Sequence, residues 1–324
     1  MAKAKITIIG LGVVGSSLGM ALRQGHRDYE VVGHDKEPKV AAAARKAGAV
    51  DRTDWNLISA CENADLIILA LPVAAIRDTM EHIAEILKPG CVVTDTASIK
   101  VPVLRWAEEL LPHHAHFVGG DPIISAPEDA TGVEAASAEL LRDAIYCLCP
   151  TATAVPEAVE VIADLVSRVG ARPLFLDAAE HDGLTAGVDH LPTIMAAALL
   201  EITALTAPWR EMRKLAGGQY QAATHFASED AAAYRAMVLA NKDNVLHWID
   251  TLIENLRQWR QRVANEEGEA LEEAFQQVLD ARNRWLRQKA SGQWEEGTQV
   301  DMGEVPGYWR SLLGFGRPSR KREP

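Results

Sequence analysis

The chain has 324 residues, 48% of them hydrophobic and 24% charged, with a formal net charge of -12 at pH 7. An acidic surface of this kind repels nucleic acid phosphates and anionic lipids, so neither is expected as the main partner. No uninterrupted apolar stretch of about 18 residues occurs, so no membrane span is predicted. The four cysteines lack C-x-x-C spacing, which argues against a metal site and favours reduced thiols in the cytoplasm.

Short apolar runs alternate with helical stretches over the first half of the chain. The predicted strands are KITIIG, EVVGHD, ADLIILALP, CVVTDT, AHFVGG, AIYCLCP and RPLFLD. Because crossover helices separate these strands, the pattern predicts an α/β fold with a Rossmann-type, doubly wound parallel sheet. We assign this dinucleotide-binding domain to residues 1–177.

The pattern changes after Asp177, where strand-like runs stop. Long apolar and amphipathic helical segments fill residues 178–290, which predicts an all-helical C-terminal domain. Residues 291–324 mix glycine, proline and tryptophan, and we expect them to form an extended C-terminal arm or tail.

A glycine-rich turn follows the first predicted strand. GLGVVG places Gly10, Gly12 and Gly15 in G-x-G-x-x-G spacing between a strand and a helix, the context in which this motif binds dinucleotides. Gly10 allows the tight turn, Gly12 lets the backbone approach a pyrophosphate, and Gly15 lets helix and strand pack closely. The helix N-terminus supplies N–H groups to the phosphates. Other residues expected to border the cofactor are Leu11, Val13, Val14, Leu71 and Pro72.

Asp35 ends the second predicted strand, 20 residues beyond Gly15. A carboxylate at this place binds the ribose hydroxyls of NAD, and it would repel the 2′-phosphate of NADP. The sequence therefore favours NAD over NADP, although the nearby cations Lys36, Arg45 and Lys46 weaken that preference.

A series of segments occurs in an order that resembles the prephenate and arogenate dehydrogenases. These segments are GLGVVG, DTASIK, GGDPIISAP, AAEHDGLTAGVDHLPTIMAAAL and LAGGQYQAATHFAS. The resemblance covers most of residues 5–285 and implies a helical dimerisation domain, hence a homodimer. It also implies NAD-dependent oxidative decarboxylation of a cyclohexadienyl substrate in tyrosine biosynthesis. In that reaction a hydride moves to the nicotinamide, a base takes the hydroxyl proton, and carbon dioxide leaves as the ring becomes aromatic.

The resemblance assigns roles to residues at matching positions. Ser98 and Lys100 match the serine and lysine of D-x-x-S-x-K, so Ser98 is expected to polarise the substrate hydroxyl and Lys100 to bind substrate. His190 matches the first histidine of an SHLPH element, which implies a substrate contact or an alternative base. Asp189 replaces the serine of that element, and Thr193 replaces its second histidine.

Some reactive positions depart from the family pattern. Asp121 stands where the family has its catalytic histidine, and His225 falls where a substrate-binding arginine is expected. Together with Asp189, these changes make the pocket more negative. At an effective dielectric of about 20, a like-charge contact at 4 Å costs about 4 kcal/mol. Arg213 either restores part of an anion site or lies on a solvated helix face.

Asp121 has two interpretations. It is either the base or an ammonium contact, or a turn residue before Pro122. The leading hypothesis is a prephenate dehydrogenase-like oxidoreductase with a small-molecule substrate and no metal. Prephenate carries two carboxylates, so a second hypothesis is a diverged dehydrogenase for arogenate or another less anionic, amino-bearing relative. A third is a non-catalytic NAD-binding sensor.

Overall fold

The computed structural model describes residues 3–24, 29–124, 132–225, 230–292 and 294. Within these residues eight strands form one sheet in the order β3-β2-β1-β4-β5-β6-β7-β8. All neighbouring strands run parallel except β6 and β7. The strands are β1 (Ala4–Ile9), β2 (Tyr29–His34), β3 (Arg52–Thr53), β4 (Leu66–Leu69), β5 (Val92–Asp95), β6 (His116–Ile123), β7 (Ile145–Pro150) and β8 (Arg172–Phe175).

Helices connect the strands and continue alone after β8. They are α1 (Val13–Arg23), α2 (Pro38–Lys46), α3 (Leu57–Cys61), α4 (Val73–Ile83), α5 (Val101–Leu110), α6 (Pro156–Arg168), α7 (Ala178–Thr185), α8 (Leu191–Thr203), α9 (Trp209–Met212), α10 (Gly218–Ala223), α11 (Ala231–Ala240), α12 (Lys242–Ala264) and α13 (Gly268–Ser291). The predicted doubly wound sheet and helical C-terminal region are confirmed. The short strand β3 was not predicted, because two residues are too few to show a pattern.

The centre of the sheet is apolar on both faces. Every residue of β4 is buried, as expected for a parallel strand covered by helices on two sides. Ile76 and Met80 of α4 and Val103 of α5 pack in the cluster that includes residues of β4. Full burial of each such side chain stabilises the folded state by roughly 1.5–3 kcal/mol relative to leaving it exposed. This core fixes the carboxyl ends of β4, β5 and β6, where the candidate site lies.

The chain divides into two compact units, residues 1–251 and residues 252–324. The first contains the whole sheet and helices α1 to α11. In the second, the rings of Trp259 and Phe275 pack at a tilt of 50°, with their centroids 4.9 Å apart. The domain boundary expected after residue 177 stays a proposal, and most of the expected arm at 291–324 lies outside the described residues.

One helical stretch, Ala178–Thr203, is long and apolar enough by length and composition to cross a membrane. Core and interface helices of globular proteins meet the same criteria. This stretch also carries the buried polar residues His181, Asp182 and His190. We therefore describe it as part of the helical region that follows the sheet.

Candidate active site

The glycine-rich turn joins β1 to α1. Of its three motif glycines, only one has open space beside its Cα atom. Gly10 has φ +90°, and a Cβ there would lie 2.2 Å from the carbonyl oxygen of Ala70. A Cβ on Gly15 would lie 1.9 Å from the carbonyl oxygen of Gly10. A Cβ on Gly12 would meet no atom within 4 Å. The turn is therefore packed at Gly10 and Gly15 and open at Gly12, as a pyrophosphate at the N-terminus of α1 requires.

Asp35 follows β2 and braces this turn. Its Oδ2 accepts a hydrogen bond from the N–H of Leu11 at 2.8 Å, and its Oδ1 accepts one from the N–H of Glu37 at 2.9 Å. Each carboxylate oxygen keeps a second lone pair, which fits a ribose hydroxyl. A cavity of about 610 Å³ adjoins Asp35, and its lining includes Lys36, Arg45, Lys46 and Trp55.

The remaining residues expected at the cofactor lie around the same turn. The side chain of Leu11 is wholly buried, so only its backbone faces the turn. The side chains that keep some exposure at the rim are Val13, Val14, Leu71 and Pro72.

A buried charged centre lies where β6 meets α7. Asp177 caps α7, and its side chain accepts the N–H groups of Ala179 and Glu180. In the first turns after this cap, His181 and Asp182 are buried, with 1% and 2% exposure. His181 Nε2 lies 3.1 Å from Asp121 Oδ2, and His181 Nδ1 lies 2.9 Å from Asp182 Oδ1.

Asp182 also ties α7 to α5. Its Oδ1 accepts the N–H of Lys100 at 2.6 Å, and its Oδ2 accepts the N–H of Val101 at 2.8 Å. The first turn of α5 has no side-chain cap of its own. A carboxylate supplied from α7 therefore satisfies two orphan donors at the positive end of α5.

His181 is held as an imidazolium between the two carboxylates. Burial alone lowers the pKa of His181, but the hydrogen bonds to Asp121 and Asp182 outweigh burial and raise it to about 11. Only the imidazolium has two N–H donors, one for each carboxylate.

This pairing predicts a pH dependence of stability. The pKa of His181 is higher in the folded state than the value of about 6.5 expected in the unfolded chain, so the native state binds more protons above that value. The stabilisation is complete below pH 6.5 and is lost as the pH rises toward 11. We expect the free energy of unfolding to fall between pH 6.5 and 8, by up to about 1.4 kcal/mol per pH unit. Urea unfolding at a series of pH values measures this slope.

The slope should be absent or much reduced in a His181→Gln variant. The matched control is His113→Gln, because His113 is exposed in the loop before β6 and should keep the wild-type slope. Equal slopes in the wild type and in His181→Gln would contradict the charged pairing.

Lys100 occupies a second buried ion pair. Its Nζ lies 2.5 Å from Asp95 Oδ2 and 2.6 Å from the carbonyl oxygen of Gly120, and both charged side chains have 0% exposure. Asp95 also accepts the N–H groups of Ala97 and Gly120. Burial raises the pKa of the Asp95 carboxyl, and the Lys100 ammonium opposes that shift. These contacts join β5 to β6, so we propose a structural role for Lys100 in place of substrate binding.

His190 is placed by a wide turn between α7 and α8. Residues Ala186–His190 form a π-helical turn, in which the N–H of Leu191 bonds to the carbonyl of Ala186. Pro192 has no N–H and its ring crowds the carbonyl four residues earlier, so a regular α-turn is disfavoured here. Such π turns are frequent at functional sites. His190 is fully buried, its Nδ1 lies 3.3 Å from Asn241 Nδ2, and no hydrogen-bond partner of its Nε2 is found among the described residues.

The other predicted substrate residues lie in different surroundings. Ser98 is half-buried in the loop between β5 and α5. The side chain of Asp189 is 56% exposed, and its Oδ2 lies 3.8 Å from His190 Nε2. Arg213 and His225 are exposed after α9 and α10. Within the described part of the chain no hydrogen bond or ion pair links Arg213 or His225 to Asp121, so their roles stay predictions.

Asp95 lies in the segment DTASIK, and His181 and Asp182 lie in AAEHDGLTAGVDHLPTIMAAAL, but no role was predicted for them or for Asn241. The sequence did contain a signal for His181 and Asp182. A histidine and an aspartate within a long apolar helical stretch are costly to bury without partners, so their presence there indicates buried partners. Asp95 also had a signal, because it is the first residue of the D-x-x-S-x-K motif that contains Lys100. Asn241 had none, since a single polar residue near the end of a helix is common.

The fold and the site together define a class of protein. A Rossmann-type sheet, an open glycine at the N-terminus of α1 and a carboxylate after β2 form a dinucleotide site, and a buried acid–imidazole centre lies at the same edge of the sheet. The chain is a nicotinamide dinucleotide-dependent oxidoreductase.

Comparisons with known proteins give the family. Residues 18–174 match the family model described as prephenate dehydrogenase, nucleotide-binding domain, and residues 177–277 match the one described as prephenate dehydrogenase, dimerization domain. The chain belongs to the prephenate dehydrogenase family, and its cofactor is NAD. The family places it as a dehydrogenase in aromatic amino acid biosynthesis.

Relatives and solved structures agree with this family. A prephenate dehydrogenase from Bacillus subtilis is 31% identical over 308 residues, which cover 94% of this chain and 82% of the relative. A cyclohexadienyl dehydrogenase from Zymomonas mobilis is 30% identical over 279 residues, covering 86% and 94%. The crystal structure of A. aeolicus prephenate dehydrogenase in complex with hydroxyphenyl propionate and NAD+ has a TM-score of 0.81 and 25% identity, covering 88% of this chain and 99% of that one.

Proposed function

We propose that the protein catalyses the NAD-dependent oxidative decarboxylation of prephenate. The observation that carries this proposal is the geometry of Asp121. One carboxylate oxygen, Oδ2, is bound by His181, and no hydrogen bond to the other oxygen, Oδ1, is found within the described residues. A buried carboxylate with one occupied oxygen has the second oxygen available for a substrate hydroxyl.

Asp121 acts as the proton acceptor in this proposal. When bound, NAD supplies the nicotinamide ring that accepts the hydride from the ring carbon bearing the hydroxyl. Asp121 Oδ1 takes the proton of the substrate hydroxyl as the hydride leaves the ring carbon. Ser98 polarises the oxygen of that hydroxyl. The imidazolium of His181 keeps Asp121 in position.

Decarboxylation and return of the proton complete the reaction. The bond between the ring and its carboxylate breaks, carbon dioxide leaves, and the electron pair makes the ring aromatic. The new phenol oxygen then takes the proton back from Asp121, which returns the centre to its starting state. Each turnover converts one prephenate and one NAD+ into one hydroxyphenyl product, one carbon dioxide and one NADH.

A second candidate is an amino-bearing cyclohexadienyl substrate such as arogenate. The observation in its favour is the number of acidic side chains at the site. Asp121 and Asp182 contact His181, and Asp189 Oδ2 lies 3.8 Å from His190 Nε2. An ammonium group would gain from those charges, whereas a second substrate carboxylate would be repelled. The relatives are dehydrogenases, which favours either enzyme over a non-catalytic sensor.

The assembly and location of the protein follow as proposals. The match to a dimerization domain supports a homodimer through the helical region, where α8 exposes Met195 and Ile202. We also propose a cytoplasmic location, which the four free, buried cysteines support.

Formation of NADH, followed at 340 nm with prephenate and then with arogenate, tests the substrate. We expect turnover with NAD and a clear preference for one of the two compounds, with prephenate as the expected one. A preference for arogenate would favour the second candidate. Calorimetric binding of NAD with no NADH from either compound would contradict the proposed function.

A further inference from the structure

Asn241 lies at the junction of α11 and α12 and is buried, with 6% exposure. Its Nδ2 donates to the carbonyl oxygen of Asp182 at 2.8 Å, and its Oδ1 accepts from Asn244 Nδ2 at 2.8 Å. A carbonyl oxygen only accepts hydrogen bonds, so the nitrogen of the Asn241 amide must face Asp182. The orientation of this amide is therefore fixed without reference to His190.

The amide nitrogen of Asn241 has a second hydrogen, and His190 is its nearest partner. Because Nδ2 lies 3.3 Å from His190 Nδ1 and is a donor, Nδ1 must be the acceptor in this contact. Burial also lowers the pKa of His190, and the charges of Asp182 and Asp121 only oppose that shift. A neutral imidazole whose Nδ1 is unprotonated carries its hydrogen on Nε2.

We propose that Asn241 is a positioning residue that holds His190 in the Nε2–H form, so that His190 donates a hydrogen bond to a substrate carboxylate and does not act as the base. The substrate part of this inference rests on the proposed function. Nε2 is fully buried and has no hydrogen-bond partner within the described residues, and a buried N–H without a partner is costly unless a ligand meets it.

The charge of the site explains why a neutral donor is suited to this task. Asp121 and Asp182 raise the pKa of His190, the charge of His181 lowers it, and Asp189 Oδ2 lies 3.8 Å from His190 Nε2, beyond hydrogen-bonding distance. An acceptor lone pair at Nε2 would add to the repulsion that a substrate carboxylate meets there, whereas an N–H reduces it. His190 thus takes over part of the anion recognition that the family's arginine position, here His225, no longer offers.

Nuclear magnetic resonance of the full-length protein labelled with ¹⁵N-histidine tests the tautomer directly. His190→Gln identifies the ring signals of His190 in a two-bond ¹H–¹⁵N correlation. We expect a protonated Nε2 and a bare Nδ1 in the wild type at neutral pH. In Asn241→Leu the fraction with a protonated Nδ1 should rise, whereas Asn265→Leu, at an exposed position, should leave the ring signals unchanged.

A protonated Nδ1 in the wild type, or an imidazolium at neutral pH, would overturn the proposal. So would an unchanged His190 ring in a folded Asn241→Leu variant. The wild-type spectrum decides the tautomer even if Asn241→Leu does not fold. These signals need no turnover, so a wild type with the expected tautomer and no activity on prephenate would refute the proposed function while the assigned tautomer stands.

Binding of hydroxyphenyl propionate to the NAD-loaded protein tests the donor role. This compound carries one carboxylate, and calorimetry gives its Kd. We expect His190→Ala to raise the Kd about tenfold or more, the loss expected for a hydrogen bond to a charged group. His190→Gln keeps an N–H donor and should recover much of the affinity. An unchanged Kd in His190→Ala would overturn the donor role.

Discussion

An Asp121→Asn variant is expected to bind NAD with wild-type affinity and to lose at least about 100-fold in kcat with prephenate. General acid–base catalysis by one positioned side chain contributes typically 10²–10⁴-fold. The amide has nearly the shape of the carboxylate but does not take up a proton at neutral pH. The dinucleotide turn belongs to β1 and α1, so the cofactor contacts do not depend on Asp121.

The same change at an exposed aspartate controls for loss of charge. Asp164 lies on α6, and its Oδ2 pairs with Arg168 Nε at 2.6 Å on the surface. Asp164→Asn should stay within about twofold of the wild type, since surface ion pairs contribute little. NADH formation at saturating substrate measures kcat, and calorimetry measures NAD binding. A fully active Asp121→Asn protein would show that Asp121 does not accept the proton.

Lys100→Met is expected to lower the free energy of unfolding by about 3–5 kcal/mol. Removing one partner of a buried ion pair leaves an uncompensated charge in the interior, here on Asp95. A loss of this size is usual for such a change. The carbonyl of Gly120 would also lose its donor. Urea unfolding at pH 7 measures the change.

A double substitution separates two costs: the loss of the interaction between Lys100 and Asp95, and the burial of an unpaired charge on Asp95. Lys100→Met combined with Asp95→Asn should be less destabilised than Lys100→Met alone, because no buried charge is left without a partner. The matched control is Lys88→Met, since Lys88 pairs with Asp65 at the same 2.5 Å distance but near the surface. We expect it to cost less than about 1 kcal/mol. Equal losses for Lys88→Met and Lys100→Met would contradict the structural role of Lys100.

The sheet and the cofactor turn were predictable because their signals are local. Apolar runs of β4 and β5 show a covered parallel strand directly in the sequence. The spacing of Gly10, Gly12 and Gly15 is likewise contained in six residues, and the structure gives each glycine a physical reason. The two-residue strand β3 was missed because its pairing with β2 depends on position in the fold.

The charged centre was not predictable from spacing, because its contacts are distant in sequence. Asp121 and His181 are 60 positions apart, and Lys100 and Asp182 are 82 positions apart. The interpretation of Asp121 as a turn residue is wrong, since Asp121 lies within β6 and is paired with Cys147 of β7. Spacing likewise gave no indication that the carbonyl of Gly120, 20 positions after Lys100, accepts from the buried Lys100 ammonium.

The proposed mechanism depends on contact between Asp121 and the reacting oxygen of the substrate. A crystal structure of the protein with NAD and hydroxyphenyl propionate measures that contact directly, because this ligand carries the phenol oxygen of an aromatic product. We expect the phenol oxygen to lie about 2.6–3.2 Å from Asp121 Oδ1, with Oδ2 still bound to His181. The contact would be contradicted if the ligand and NAD were both well ordered and the phenol oxygen lay beyond hydrogen-bonding distance of Asp121.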